Sequence, residues 1–189
     1  VVQEAAERLG VPASLLEQKM SGRPTLRDRF STMRRAYIAA VQTAMAERIV
    51  DGELVYHGLA GGFLLRDAPC SLCLRLIAPL ERRVAVVMEE SDMDAVMAES
   101  YIREIDESRA RWVRVMYDED VADPHLYDLI LNLDEITIEG ACAITRAALA
   151  GPDFAVDDEA LRKFEDFRIG CRVRLALAED QELRSLDLD

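Results

Sequence analysis

Apolar positions recur every three or four residues along most of the chain, the spacing of one face of a helix. Val2 to Leu9 follows that pattern until Gly10 ends it, and Pro12-Ala13-Ser14 opens a second short helix to about Met20. After the breaker Ser21-Gly22-Arg23-Pro24-Thr25, a long helix is predicted over Arg27–Asp51. Phe30, Met33, Tyr37, Ile38, Val41, Met45 and Ile49 form its apolar face, its arginines occupy the other face, and Gly52 stops it. The period then shortens. Glu53-Leu54-Val55-Tyr56-His57, Leu72 to Ile77 and Tyr127 to Asn132 read as strands, the last apolar enough to be buried on both faces. Between them, Pro79 suits the first turn of a helix through Val87, and Ser91-Asp92 caps another through about Tyr117. Thr137 starts a helix to Leu149, Gly151-Pro152-Asp153 marks a boundary, and 157–179 is amphipathic and helical.

Strands alternating with helices predict an α/β fold, helix-rich, with a parallel sheet whose ligands bind at the carboxyl ends of the strands. The cluster Gly58-Leu59-Ala60-Gly61-Gly62 follows the first strand at such an end. Two units are expected: an α/β domain over 1–150 and a helical segment over 153–189 that need not share its core.

At 189 residues, half of them hydrophobic, the chain has room for one core with a small appendage. No apolar run approaches the roughly 18–20 residues of a membrane span, and the amino end lacks a signal-peptide pattern, so a cytoplasmic location is expected. The formal charge of −13 opposes generic binding to nucleic acid. The basic residues are nonetheless almost all arginine, Lys19 and Lys163 being the exceptions, which favours bidentate capture of phosphate or carboxylate. Seven of them lie between Lys19 and Arg48, while Glu89–Glu107 holds eight acids against Arg103.

The cysteines point away from redox and zinc chemistry. Cys70-Ser71-Leu72-Cys73 has no second pair to close a zinc site, and it precedes a strand rather than a helix, so core cysteines are expected. His57 and His125 lie 68 positions apart, and no metal site is read.

The order of these pieces resembles a known family. A strand followed by Gly58-Leu59-Ala60-Gly61-Gly62, then Leu72 to Ile77 with Ala78-Pro79-Leu80-Glu81-Arg82-Arg83, then Ile105-Asp106-Glu107-Ser108-Arg109, then Tyr127-Asp128-Leu129-Ile130-Leu131-Asn132 after Asp123-Pro124, is similar to the cytidylate kinase-like family over about residues 1–150. The resemblance implies a P-loop kinase-like sheet flanked by helices and transfer of a phosphoryl group from ATP to a nucleoside monophosphate, which is the expected partner. It also implies that Arg82, Arg83 and Arg109 face phosphates as catalytic groups, with Asp106 orienting Arg109. Phosphoryl transfer needs such cations, since its catalysis is mostly positioning and charge neutralisation. The same residues also read as a solvated helix face and an ordinary i,i+3 surface pair. The nucleotide site is expected around Gly58, Leu59 and Gly61 with Arg34 and Arg35 of the long helix, although those two arginines fit a solvated face as well.

Two departures from the family pattern change the expectation. Gly58-Leu59-Ala60 stands where family members carry Gly-Arg-Asp for the acceptor nucleotide, and no G-x-x-x-x-G-K-[ST] loop precedes either lysine. Family members place that loop ahead of the segment beginning at Val1, so ATP and Mg2+ are expected only where the full protein supplies it. Either this chain is a piece, or the protein keeps the fold for non-catalytic nucleotide sensing, regulation or dimerisation. Without the P-loop strand the sheet has a slot to fill, which a shifted strand order or a segment exchanged with a second copy, a homodimer, would close. Residues 172–189 resemble the opening of a BON domain and also read as a solvated amphipathic helix. A plain helical scaffold remains if the strands fail to form.

Overall fold

The computed structural model describes residues 1–14, 32–49, 54–59 and 61–180, apart from a few side chains at helix ends. Seven α-helices and two strands are described: α1 (Val2–Arg8), α2 (Thr32–Ile49), α3 (Gly61–Leu64), β1 (Leu74–Ile77), α4 (Leu80–Glu90), α5 (Ala95–Tyr117), β2 (Leu129–Asn132), α6 (Ile138–Leu149) and α7 (Asp158–Glu179). Single 3-10 turns at Pro124–Leu126 and Pro152–Phe154 precede β2 and α7. The helix predicted from Pro12 to Met20 and the start of the long helix lie largely outside the described residues.

Helix α2 is the axis of the core. Ala39, Ala40, Val41, Thr43, Ala44, Met45 and Ala46 are all buried, so the helix is covered on more than the one face its spacing predicts. Its alanines carry no side chain beyond Cβ, which lets α1 lie against it on one side and α7 on another. Ala5 and Ala6 of α1 are the matching small residues, and Arg8 with Glu47 and Arg48 with Glu4 form surface ion pairs across that contact. On the α7 side, Phe167 and Cys171 pack with Ala46 and Ala68, and Leu175 joins the cluster of Ala5, Tyr37, Met45 and Trp112. The Thr43 hydroxyl, in the one buried polar side chain described, lies 2.8 Å from the Ala39 carbonyl and 3.0 Å from the Cys171 carbonyl. A hydroxyl has a single proton to donate, so it serves these two acceptors in turn or shares one bond between them. Helix α7 therefore packs into the same core as α1 and α2.

The second region is the α/β unit. β1 and β2 pair in parallel, Leu74 opposite Leu129 through Ile77 opposite Asn132, with α4 and α5 in the crossover between them. α5 begins at the Asp94 N-cap, whose carboxylate accepts the Met97 N–H at 2.8 Å, rather than at Ser91-Asp92. β1 starts two residues later than the predicted Leu72–Ile77, and just ahead of it the Cys73 N–H donates to the Asp128 carboxylate. The predicted strand at 53–57 does not form over its described residues, 54–57. Leu54 and Tyr56 are half-buried against the core and Val55 is 94% exposed, so the in-out alternation survives, but no described strand pairs with it.

The carbonyls of Cys73 and Ile77 accept bonds from the β2 side, from Asp128 and Leu129 and from Leu133. The N–H and C=O groups of Leu74 and Leu76, one position out of phase, therefore point the other way, to an edge along which no described strand runs. Leu76 is 52% exposed there.

Candidate functional site

The carboxyl ends of β1 and β2 are where an open parallel sheet presents its ligands, and this chain places two arginines at that end. Ala78 and Pro79 follow β1, and Arg82 and Arg83 stand in the first turn of α4. Arg82 donates through Nη1 to the carbonyl of Asp134, two residues past β2, so it bridges the carboxyl ends of both strands. Asn132 Oδ1 accepts the Asp134 N–H at 3.2 Å and fixes that turn. Arg83 reaches sideways to α5, where Nη1 and Nη2 donate to Asp106 Oδ2 and Oδ1 at 2.7 and 2.8 Å. The bidentate bond to Asp106, more than the nearby charge, raises the Arg83 guanidinium above its ordinary pKa, while partial burial opposes it.

Asp106 thus pairs with Arg83, not with Arg109. Arg109 is one turn further along α5, exposed and without an ion pair among the described residues. The structure accordingly pairs Arg83 with Asp106 and Arg82 with the Asp134 carbonyl, and Arg109 lies near Asp106 on the same helix.

The glycine turn stands elsewhere along α5. Gly58 adopts a φ of +154°, and a Cβ there would come within 2.9 Å of the Tyr56 hydroxyl; at Gly61 a Cβ would collide with the same ring. The two glycines therefore close the chain around Tyr56. Leu59 packs against the core cluster that contains Trp112, Val113 and Met116, and Phe63 stacks on Tyr117 with centroids 4.6 Å apart. Trp112 is six residues from Asp106, about 9 Å along the helix axis. Of the other predicted residues, Arg35 is exposed on α2, and the side chain of Arg34 lies outside the described residues.

The segment Tyr127 to Asn132 shows how its polar residues hold the site's floor. Asp128 accepts the Cys73 N–H at 2.7 Å through Oδ2 while its own N–H donates to the Cys73 carbonyl at 2.9 Å, a two-point clamp that sets the register of β1 on β2. Arg75 donates to the Val121 carbonyl at 2.7 Å and lies over the Tyr127 ring, whose hydroxyl donates to the same carbonyl. Sequence spacing gave no sign of the Asp128 and Arg75 roles, since each joins segments some fifty residues apart.

Among the described residues no group of three His, Cys, Asp or Glu side chains could hold a metal ion, and the sequence contains no Walker A loop for ATP with Mg2+. The cysteines do not pair. Cys70, at φ +57°, directs its thiol to the Ala155 carbonyl, and Cys73 Sγ lies against Gly62. Only Cys171 is a core cysteine; Cys142 sits on the outer face of α6. A concavity of about 370 Å3 between Asp67-Pro69 and α7 mixes Asp67 and Asp166 with Lys163 and Arg174, giving it no preference for an anion. No described helix is long and apolar enough to cross a membrane.

A search of the curated proteins and a search of the solved structures each found no match. The family model described as the cytidylate kinase-like family matches residues 1–135, the stretch from α1 through β2 that carries the arginine site and its floor. With well over half its length matched, this chain belongs to the cytidylate kinase-like family.

Proposed function

We propose that this chain is the nucleotide-binding, phosphate-neutralising part of a nucleoside monophosphate kinase-like protein. Arg82, Arg83 and Arg109 take the phosphates, and transfer from ATP to the monophosphate proceeds where a P-loop completes the site. The observation that carries this reading is the placement of Arg82 and Arg83 in the first turn of α4, just past β1, with Arg82 bridging to the carboxyl end of β2. A guanidinium aimed across the carboxyl ends of parallel strands, with a second beside it in the same helix turn, supplies charge where a phosphate would sit without reorganising the backbone.

A second reading rests on the glycine turn. With Leu59 packed toward the core and Gly58 and Gly61 closed on Tyr56, the turn holds aromatic packing where an acceptor base would need polar groups. That favours a domain that binds a nucleotide through its phosphates alone, as a sensor would.

Thermal-shift and calorimetric titrations with the four nucleoside monophosphates test both. A ligand at 100 times its Kd adds about 2.7 kcal/mol of stability. Stabilisation by one base that Arg109→Ala and Arg82→Ala weaken supports the kinase-like site, and equal stabilisation by all four supports the sensor. No response from any monophosphate refutes both.

A further inference from the structure

We propose that Asp106 is an intramolecular competitor for the phosphate-binding fork of Arg83, so that the site is self-occupied until an anion displaces the carboxylate. The inference rests on the reading of the arginine cluster as a phosphate site. It follows from how the pair is made. Both terminal nitrogens of Arg83 are taken by the two oxygens of one carboxylate, at 2.8 and 2.7 Å, which is the two-point geometry a phosphate would itself adopt. A phosphate cannot use that edge of the guanidinium while Asp106 holds it.

The pair is also placed to yield. The Arg83 side chain is 34% exposed and that of Asp106 is 46% exposed, so an anion can reach the contact, and a pair this open is weakly held. Arg82 differs, since its partner is the Asp134 carbonyl, a neutral acceptor with no charge to set against a phosphate. Arg109 stands one turn from Asp106 on the same helix but does not pair with it, so the competition falls on the fork of Arg83. An arriving anion must outbid one fixed carboxylate. A singly charged anion has no electrostatic advantage over Asp106, whereas a di- or polyanionic phosphate does. Asp106 thereby sets a threshold of charge for entry.

Calorimetric titration with pyrophosphate, on the full chain, tests this. Asp106→Asn should bind pyrophosphate about three- to fivefold more tightly, the gain expected from removing one exposed ion pair's competition. In an Arg83→Ala background the same substitution should give no gain, because there is no fork to release. Glu107→Gln removes an equal charge one residue away and should change affinity less than about twofold. Asp106→Ser, checked with Asp106→Asn by circular dichroism, repeats the test with a different side chain. An unchanged or weaker affinity in both Asp106 variants would overturn the proposal, as would a gain that survives Arg83→Ala or one matched by Glu107→Gln. If the unsubstituted chain binds and Arg83→Ala weakens it while the Asp106 variants change nothing, only the competition fails. If no chain binds pyrophosphate, the phosphate site fails with it.

Discussion

Removing everything after Ala150 should unfold the chain, not trim it. The deletion takes away α7 and with it Phe167, Cys171 and Leu175, each under 9% exposed. Burial of Phe167 and Leu175 contributes about 1.5–3 kcal/mol apiece, and with a smaller share from Cys171 the direct loss is about 4–7 kcal/mol. The flank of α2 that carries Thr43 and Ala46 is uncovered as well, and the hydroxyl of Thr43 loses its partner across the helix pair. A domain of this size is stable by about 5–15 kcal/mol in total, so the remainder lies at or below the margin needed for a cooperative fold. The assay is urea unfolding followed by circular dichroism and by Trp112 fluorescence. Trp112 is the only tryptophan and is 3% exposed, so its emission reports directly on the shared core. The 1–150 fragment should show red-shifted emission and no sigmoidal transition, while Leu175→Ala in the full chain, a graded version of the same insult, should cost about 2–5 kcal/mol. A fragment that unfolds cooperatively, within about 2 kcal/mol of the full chain and with unshifted emission, would refute the argument and make 153–189 a separable module.

Three further outcomes are expected. Thr43→Val should destabilise by only about 0.5–1.5 kcal/mol in urea, because the Ala39 and Cys171 carbonyls keep their own helical donors; a loss above about 3 kcal/mol would mean the hydroxyl holds something more. Burial pushes the Cys171 and Cys73 thiols above their ordinary pKa. Each is thus neutral in the fold at a pH where the unfolded chain ionises it, so its contribution is complete below about pH 8.5 and is lost as pH rises through the folded value. Urea midpoints should fall between pH 8 and 10, and Cys171→Ala should flatten that decline. Asp128→Ala should leave the Cys73 N–H without its carboxylate and lower overall stability by about 0.5–1.5 kcal/mol, with faster amide exchange along β1 as the local signature.

The elements were legible where one periodicity held over several turns. The described part of the long helix, the two α/β-unit strands and helices α4 to α7 all follow from spacing, Pro79 in the approach to α4 and the polar caps at Thr137 and Asp157. What spacing could not supply was pairing. Residues 54–57 alternate like a strand, yet a strand needs a neighbour, and none of the described segments provides one. Asp106 is three residues from Arg109, and a one-dimensional reading joins those two; the partner it takes, Arg83, becomes a neighbour only once α4 lies on α5. The same holds for α7, whose apolar positions announce a buried face without saying against what. The arginines themselves were visible from residue type and order, whereas the role of Tyr56 in closing the glycine turn required the fold.

The two buried clusters draw on α1, α2, α3, α7 and the far end of α5, and neither includes a residue of β1, β2, α4 or α6. The proposed anion site therefore stands on a part of the molecule outside both clusters, a two-stranded ladder beside which no further strand runs among the described residues. Such a part can open while the remainder stays folded, so its amides are the ones to exchange first, at a free energy below that of global unfolding. A bound phosphate that ties Arg82 and Arg83 together would act on that partial opening. The ligand's largest effect is then on local opening rate, seen as protection at Leu74–Ile77 and Leu129–Asn132, with a smaller shift in the melting of the helical core.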